Sequence, residues 1–145
     1  MRIKFEVISL LILSIILGGC TATPTSIEGA ERDAVLAYSE PMADHELEAL
    51  NSNAYQAFIK DYDAKMREVT TQESFTSLQE LIQSKLGKYL SREVVSVAAM
   101  GTEAVIVVYS AKFEKEEGVT IRLVFQPGGD HLITGLWFDS PKLRE

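Results

Sequence analysis

Apolar positions change their spacing twice along this chain of 145 residues, and each change marks a different kind of element. Val7 to Leu17 is apolar almost without interruption, broken only by Ser9 and Ser14. From Ala30 onward the apolar residues recur every three to five positions. Val35, Tyr38, Met42, Leu47 and Leu50 predict a helix over Ala30 to Leu50. Pro41 removes a backbone donor inside it, which predicts a kink near Tyr38 to Pro41 or two helices meeting there. Asn51-Ser52-Asn53 reads as a stop and restart, with Asn53 capping a second helix whose Tyr55, Phe58, Ile59, Tyr62 and Met66 share a face. A third helix carries Phe75, Leu78, Ile82, Leu86 and Tyr89, with Thr70 and Glu73 as a capping box and an end at Gly87 or near Ser91.

Beyond that point the period falls from about 3.6 to 2, the signature of strands. Glu93 to Met100 is the first, turned by Gly101-Thr102. Ala104 to Glu114 is the longest, with Val105, Val107, Tyr109, Ala111 and Phe113 on one face. After Lys115 to Gly118, the residues Val119, Ile121, Leu123 and Phe125 share a face. Pro127-Gly128-Gly129-Asp130 is the strongest turn signal, and His131 to Phe138 returns as the fourth strand. Short links predict an antiparallel meander, so the fold class is α+β, with N-terminal helices packed on a curved four-stranded antiparallel sheet. Ile106, Val108 and Val124 make the second sheet face apolar as well. Either a helix edge or tail covers it, or it pairs with a second copy as a homodimer.

The run Val7 to Leu17 is eleven residues, too short for the roughly 20 of a spanning helix. Arg2 and Lys4 place positive charge before it, and the small residues Gly18 and Gly19 follow it. This order is that of a secretory signal peptide. Leu17-Gly18-Gly19-Cys20 resembles the lipobox of bacterial lipoproteins. The resemblance implies recognition of Leu17, Gly18 and Gly19 by a signal peptidase, cleavage before Cys20, and a diacylglycerol thioether on the Cys20 sulfur. It also implies delivery to the cell envelope, to the outer membrane where one exists and otherwise to the outer face of the plasma membrane. Two or three acyl chains anchor stably where one does not. Cys20 is the chain's single cysteine, so it can form no internal disulfide and the domain must hold by packing.

The expected organisation is therefore a signal peptide over 1–19, a lipidated cysteine and flexible tether over 20–29, and one domain over 30–145. Thr21 to Gly29, small, polar and broken by Pro24, lets the domain stand roughly 30 Å off the bilayer when fully extended. The 126 residues from Cys20 onward carry 12 basic and 20 acidic side chains, a formal charge of −8. Such a surface repels phosphate backbones and anionic lipid alike, which excludes nucleic acid as a partner and leaves the covalent lipid as the membrane contact.

Tyr55 to Met66, Phe75 to Tyr89, V-V-Y-S-A-K-F-E-K-E-E-G-V-T-I-R-L-V-F and G-L-W-F-D-S-P together resemble an uncharacterised domain family of small secreted proteins and lipoproteins. The likeness runs over about Glu31 to Arg144. It implies a cone like that of nuclear transport factor two, with helices closing over a curved sheet. Such cones host binders, assembly modules and enzymes of the ketosteroid isomerase kind, so the likeness implies a fold rather than an activity.

For acid-base chemistry in an apolar pocket the chain offers His45, Asp61, Asp63, His131 and Asp139, and the sequence places no two of them together. His131 is expected to be solvated, and Asp61 and Asp63 to cap or to face solvent. Glu114, Glu116 and Glu117 read as a solvated hairpin tip. No G-x-S-x-G, H-E-x-x-H or phosphate-binding glycine loop is present, and no metal or cofactor is expected. A pocket drawn from Tyr38, His45, Tyr109 and Trp137 is one reading of the aromatics; core filling by Trp137 is the other. The sequence thus predicts a non-catalytic binding or interaction module for a protein partner or small apolar ligand, with an acid-base enzyme as the alternative.

Overall fold

The computed structural model describes residues 22–145; the expected signal peptide, the Leu17-Gly18-Gly19 recognition residues and Cys20 lie outside them. The described chain is α+β, with helices followed by an antiparallel meander, and the sheet has five strands rather than four. Its order is β1 (Thr25–Ser26), β2 (Tyr89–Met100), β3 (Ala104–Phe113), β4 (Val119–Phe125) and β5 (Ile133–Asp139). The additional strand is β1, which pairs antiparallel with Ala98 and Ala99, while Ile27 beside it is buried and donates its N–H to the Val97 carbonyl at 2.9 Å. The segment expected to be a free tether up to Gly29 is therefore fixed to the sheet from Thr25 on. Backbone pairing at the open edge of β2, with Ile27 as an apolar plug, outweighs the flexible composition around it.

Alternation along β3 and β4 sends Val105, Val107, Tyr109, Ala111 and Phe113 inward with Val119, Ile121, Leu123 and Phe125, all buried against the helices. Each such aromatic or aliphatic side chain contributes about 1.5–3 kcal/mol by leaving water. β2 starts four residues earlier than its period suggests and carries irregularities between Tyr89 and Ser91 and between Val94 and Ser96. Those bulges turn Leu90 and Val95 out to solvent. The early start has a specific cause: the Asn51 amide donates to the Tyr89 carbonyl and accepts from the Tyr89 N–H, both at 2.9 Å, as a neighbouring strand would.

α1 (Gly29–Ser52) runs as one helix through Pro41 instead of breaking there. Pro41 and Ala37, whose carbonyl it leaves without a donor, are both exposed, so water meets the loss. Arg92 also brackets the proline. Its guanidinium donates to Glu40 Oε1 at 2.8 Å, to the Glu40 carbonyl at 2.9 Å and to Asp44 Oδ1 at 2.7 Å, and lies 4.7 Å from the Tyr109 ring centre. Burial works against the Arg92 charge, yet the Glu40 hydrogen bond and the two carboxylates outweigh it and raise its pKa.

Asn53 does not start the next helix; it ends α1 in the left-handed conformation at φ 53°, its N–H on the Ala49 carbonyl. The expected second helix is two short ones, α2 (Tyr55–Phe58) and α3 (Ala64–Val69). Between them Tyr62 forms a parallel bridge with Ile133. Ile133 N–H donates to the Asp61 carbonyl at 2.8 Å, and Asp63 N–H to the Ile133 carbonyl at 3.0 Å. Asp63 then caps α3 through the Met66 N–H at 2.7 Å.

α4 (Gln72–Lys85) is capped by Thr71 on the Ser74 N–H, one residue later than the expected Thr70–Glu73 box, and stops four residues before Tyr89. Gly87 enforces the stop. It sits at φ 76°, and a Cβ there would come within 2.7 Å of the Glu114 carboxylate, which accepts from the Lys88 N–H at 2.9 Å. Glu114 is thus part of this junction, yet it and Glu117 are exposed as expected of a hairpin tip, Glu117 pairing with Lys112 at the surface, while Glu116 is half-buried. β5 begins at Ile133, with His131 in the preceding turn at φ 51°, and a short α5 (Pro141–Arg144) closes the chain.

Arg92→Ala removes three charge-assisted hydrogen bonds whose acceptors remain partly solvated, so the expected loss is about 2 kcal/mol. Arg92→Lys should recover little of it, because one ammonium lacks the planar fork. Urea denaturation of the three proteins checks both outcomes.

Candidate functional site

The break between α2 and α3 shapes an open hollow on the described surface. The Tyr62–Ile133 bridge pulls this stretch onto β5, and α4 packs across from it through Phe75 and Ile82. An open groove of about 470 Å³ remains between them and α5. Phe58, Tyr62, Met66, Phe75, Leu78, Leu81, Ile82, Leu136, Phe138 and Leu143 line it with Trp137, and Thr70 and Ser74 supply its polar rim. Phe58 holds the floor rigid, its ring 4.8 Å from Phe75 and 5.5 Å edge-on to Tyr62. Leu81 and Trp137 are about half exposed, at 44% and 52%.

Trp137 is not core filling. It points to the outer face of the sheet, over Gly135 and 5.5 Å from the Arg122 guanidinium. The other members of the expected aromatic pocket lie elsewhere, so Tyr38, His45, Tyr109 and Trp137 form no common site. Tyr109 is fully buried under Arg92, and burial raises its pKa. Tyr38 stacks on His131 at 4.0 Å in a second groove of about 300 Å³ beside Val35 and Val105. His131 is accordingly half-buried rather than solvated, with Nδ1 3.3 Å from the Gln126 carbonyl. His45 lines a smaller hollow with Ser52, Ala57 and Lys60.

The structure does bring together two candidates that the sequence left apart. His45 Nδ1 lies 2.8 Å from Asp61 Oδ2, joining α1 to the turn before Tyr62. Asp139 pairs with Arg144 at the far end of β5, and Asp63 is occupied as a cap. Among the described residues no group of three or more His, Cys, Asp or Glu is placed to hold a metal ion.

Glu46 is the acid that sequence reading missed. It is 1% exposed on the inward face of α1, and Glu46 Oε1 and the Tyr62 hydroxyl lie buried without a hydrogen bond. The two groups face each other without reaching hydrogen-bond geometry, though the hydroxyl dipole still favours the carboxylate. Burial dominates and, with the nearby Asp61 charge, pushes the Glu46 carboxyl from 4.5 up to about 8. The same burial, with the Glu46 charge, raises the Tyr62 hydroxyl. A signal for Glu46 existed: Ser39, Ala43, Glu46 and Leu50 follow i, i+4, i+7, i+11, one side of a helix, and all four are buried.

Tyr62 is where this polar pair meets the groove. Its ring forms wall while its hydroxyl is turned to Glu46, so the surface offered to a ligand is apolar with a hydroxyl rim. Neither a carboxylate nor a histidine lines it.

Residues 43–136, nearly two thirds of the chain, match a family of proteins of unknown function, DUF3887. The chain belongs to this family. The match spans Glu46, Tyr62 and the helical wall of the groove, and ends at Leu136 just before Trp137. No curated protein and no solved structure matches the chain.

Glu46 binds its proton more tightly folded than unfolded. It therefore favours the fold below pH 4.5, and that contribution is lost as pH rises through about 8. Glu46→Gln should stabilise the protein at pH 8.5 by about 2–4 kcal/mol and change little at pH 4.5. Thermal denaturation of both proteins across this range reads the difference.

Proposed function

We propose that this DUF3887 protein is a lipid-anchored component of the cell envelope whose domain binds a small apolar ligand without chemistry of its own. One observation carries the binding reading: a half-open groove of about 470 Å³, within the size range of small-molecule sites, walled by aromatic and aliphatic side chains and rimmed by Thr70 and Ser74. The anchor reading is supported by Arg2, Lys4, the short apolar run and Leu17-Gly18-Gly19-Cys20. No described helix is long and apolar enough to cross a membrane. The α+β order, with helices laid over one face of a meander, is consistent with a cone like that of nuclear transport factor two.

Acid-base catalysis is the weaker reading. His45 of the His45–Asp61 pair lines a different hollow, neither residue lines the groove, and Glu46 lies behind the groove wall. A ligand in the groove would meet no group placed to take or give a proton.

Trp137 is the chain's only tryptophan and borders the groove, so energy transfer from it reads a ligand bound there although its ring turns to the outer face of the sheet. A neutral naphthylamine probe should quench it by energy transfer at one saturable site. Leu81→Glu, at a half-exposed wall position, should weaken binding at least tenfold with an unchanged melting temperature. Non-saturable quenching, or equal binding by the variant, would remove the reading. For the anchor, intact mass and membrane fractionation of the full-length protein should show trimming before Cys20 and added acyl mass. Cys20→Ala should abolish both.

A further inference from the structure

The outer face of the sheet divides into two halves. Ser26, Ala98, Ile106, Val124 and Gly135 form one row across all five strands, and Ser96, Val108, Arg122 and Trp137 the next. The following row, Glu93, Ser110, Thr120 and Asp139, is polar throughout. Ala98, Ile106, Val108 and Val124 are only partly covered, Trp137 is 52% exposed, and every described helix lies toward the other face. The apolar half is the half at which the chain enters, because β1 belongs to its first row.

We propose that this apolar half-face rests on the lipid bilayer that holds the anchor, an inference that depends on the lipidation of Cys20. Chain length supplies the constraint. Five residue steps separate Cys20 from Thr25, a reach of at most about 18 Å, not the roughly 30 Å of a tether free to Gly29. A domain held that close must set some surface against the headgroups. The surface nearest the anchor is the one with exposed aliphatic side chains and a tryptophan.

Charge favours lipid over a second copy. Arg122 is the only charged residue in the two apolar rows, and it lies over the Trp137 ring. An arginine whose stem lies along apolar surface while its head reaches a phosphate, beside a tryptophan, suits the boundary between headgroups and acyl chains. Two copies joined through the same patch would instead bury two Arg122 guanidinium groups with no carboxylate in either apolar row to pair with them. Glu93 and Asp139, which anionic headgroups would repel, stand in the row that points away from the anchor.

The test uses the full-length acylated protein, in which lipid blocks the only native thiol. Val108→Cys and Thr120→Cys are each labelled with an environment-sensitive fluorophore and placed in phosphatidylcholine–phosphatidylethanolamine vesicles containing brominated acyl chains. Val124→Cys serves as a second reporter on the apolar half if Val108→Cys fails to fold. The label at Val108 should be quenched at least threefold, and the label at Thr120 left unchanged. Intact mass is read on the same samples. Acylated protein with both labels unquenched overturns docking and leaves the anchor standing, whereas unacylated protein overturns both. Shielding at Val108 that grows with protein concentration in detergent, without vesicles, assigns the face to a second copy and also overturns the proposal.

Discussion

A buried guanidinium fixes the relation between helix and sheet on which the rest of this molecule depends. Arg92 projects from β2 with its side chain 6% exposed, and its three acceptors all come from one stretch of α1. The buried stripe of α1 includes Ser39 and Ala43, too small to register a helix by shape alone. Apolar burial presses α1 against the sheet but leaves freedom to slide and roll. A planar cation with directional donors removes that freedom. With Glu40 and Asp44 fixed, His45 is carried to Asp61 and Glu46 to Tyr62.

The polar cluster and the groove are then two sides of one element. Asp61-Tyr62-Asp63 runs from a turn into a bridge rather than a helix because its backbone bonds to Ile133, and there successive side chains take different directions. Asp61 turns to His45, Tyr62 goes inward, and Asp63 caps α3. The groove exists because α2 and α3 are not one helix: a continuous helix would have carried its apolar face across the space that Phe58, Met66 and Leu78 now border.

Most of the sheet was legible because one face is buried, and a period of two survives wherever burial is one-sided. β3 and β4 match their expected inward residues position by position, down to Val105 and Phe125. What was not legible depended on contacts distant in sequence. Nothing local to Tyr89 announces that Asn51 will pair with it, and nothing in T-A-T-P-T-S-I marks Thr25 as a strand until the free edge of β2 lies beside it. Apolar period also joined Tyr55 to Met66 into one helix, since Phe58, Tyr62 and Met66 are spaced as a helix would space them. The groove escaped because its walls come from five separate elements, α2, α3, α4, β5 and α5, while the expected aromatics are spread through core and surface. Glu46 escaped through chemistry: an acid is expected outside, and its place in the helical face was overlooked.

The two-residue β1 has a mechanical side. Traction on the N-terminal residues is borne first by the Thr25–Ser26 pairing and the Ile27 plug, not by the helices or the long strands. That clip is the smallest separable part of the sheet, and its release leaves β2 to β5 paired as before. Freeing Thr25 to Glu28 would add about 13 Å of chain. Under such load the clip would yield as a fuse does, lengthening the N-terminal segment while the core stays intact.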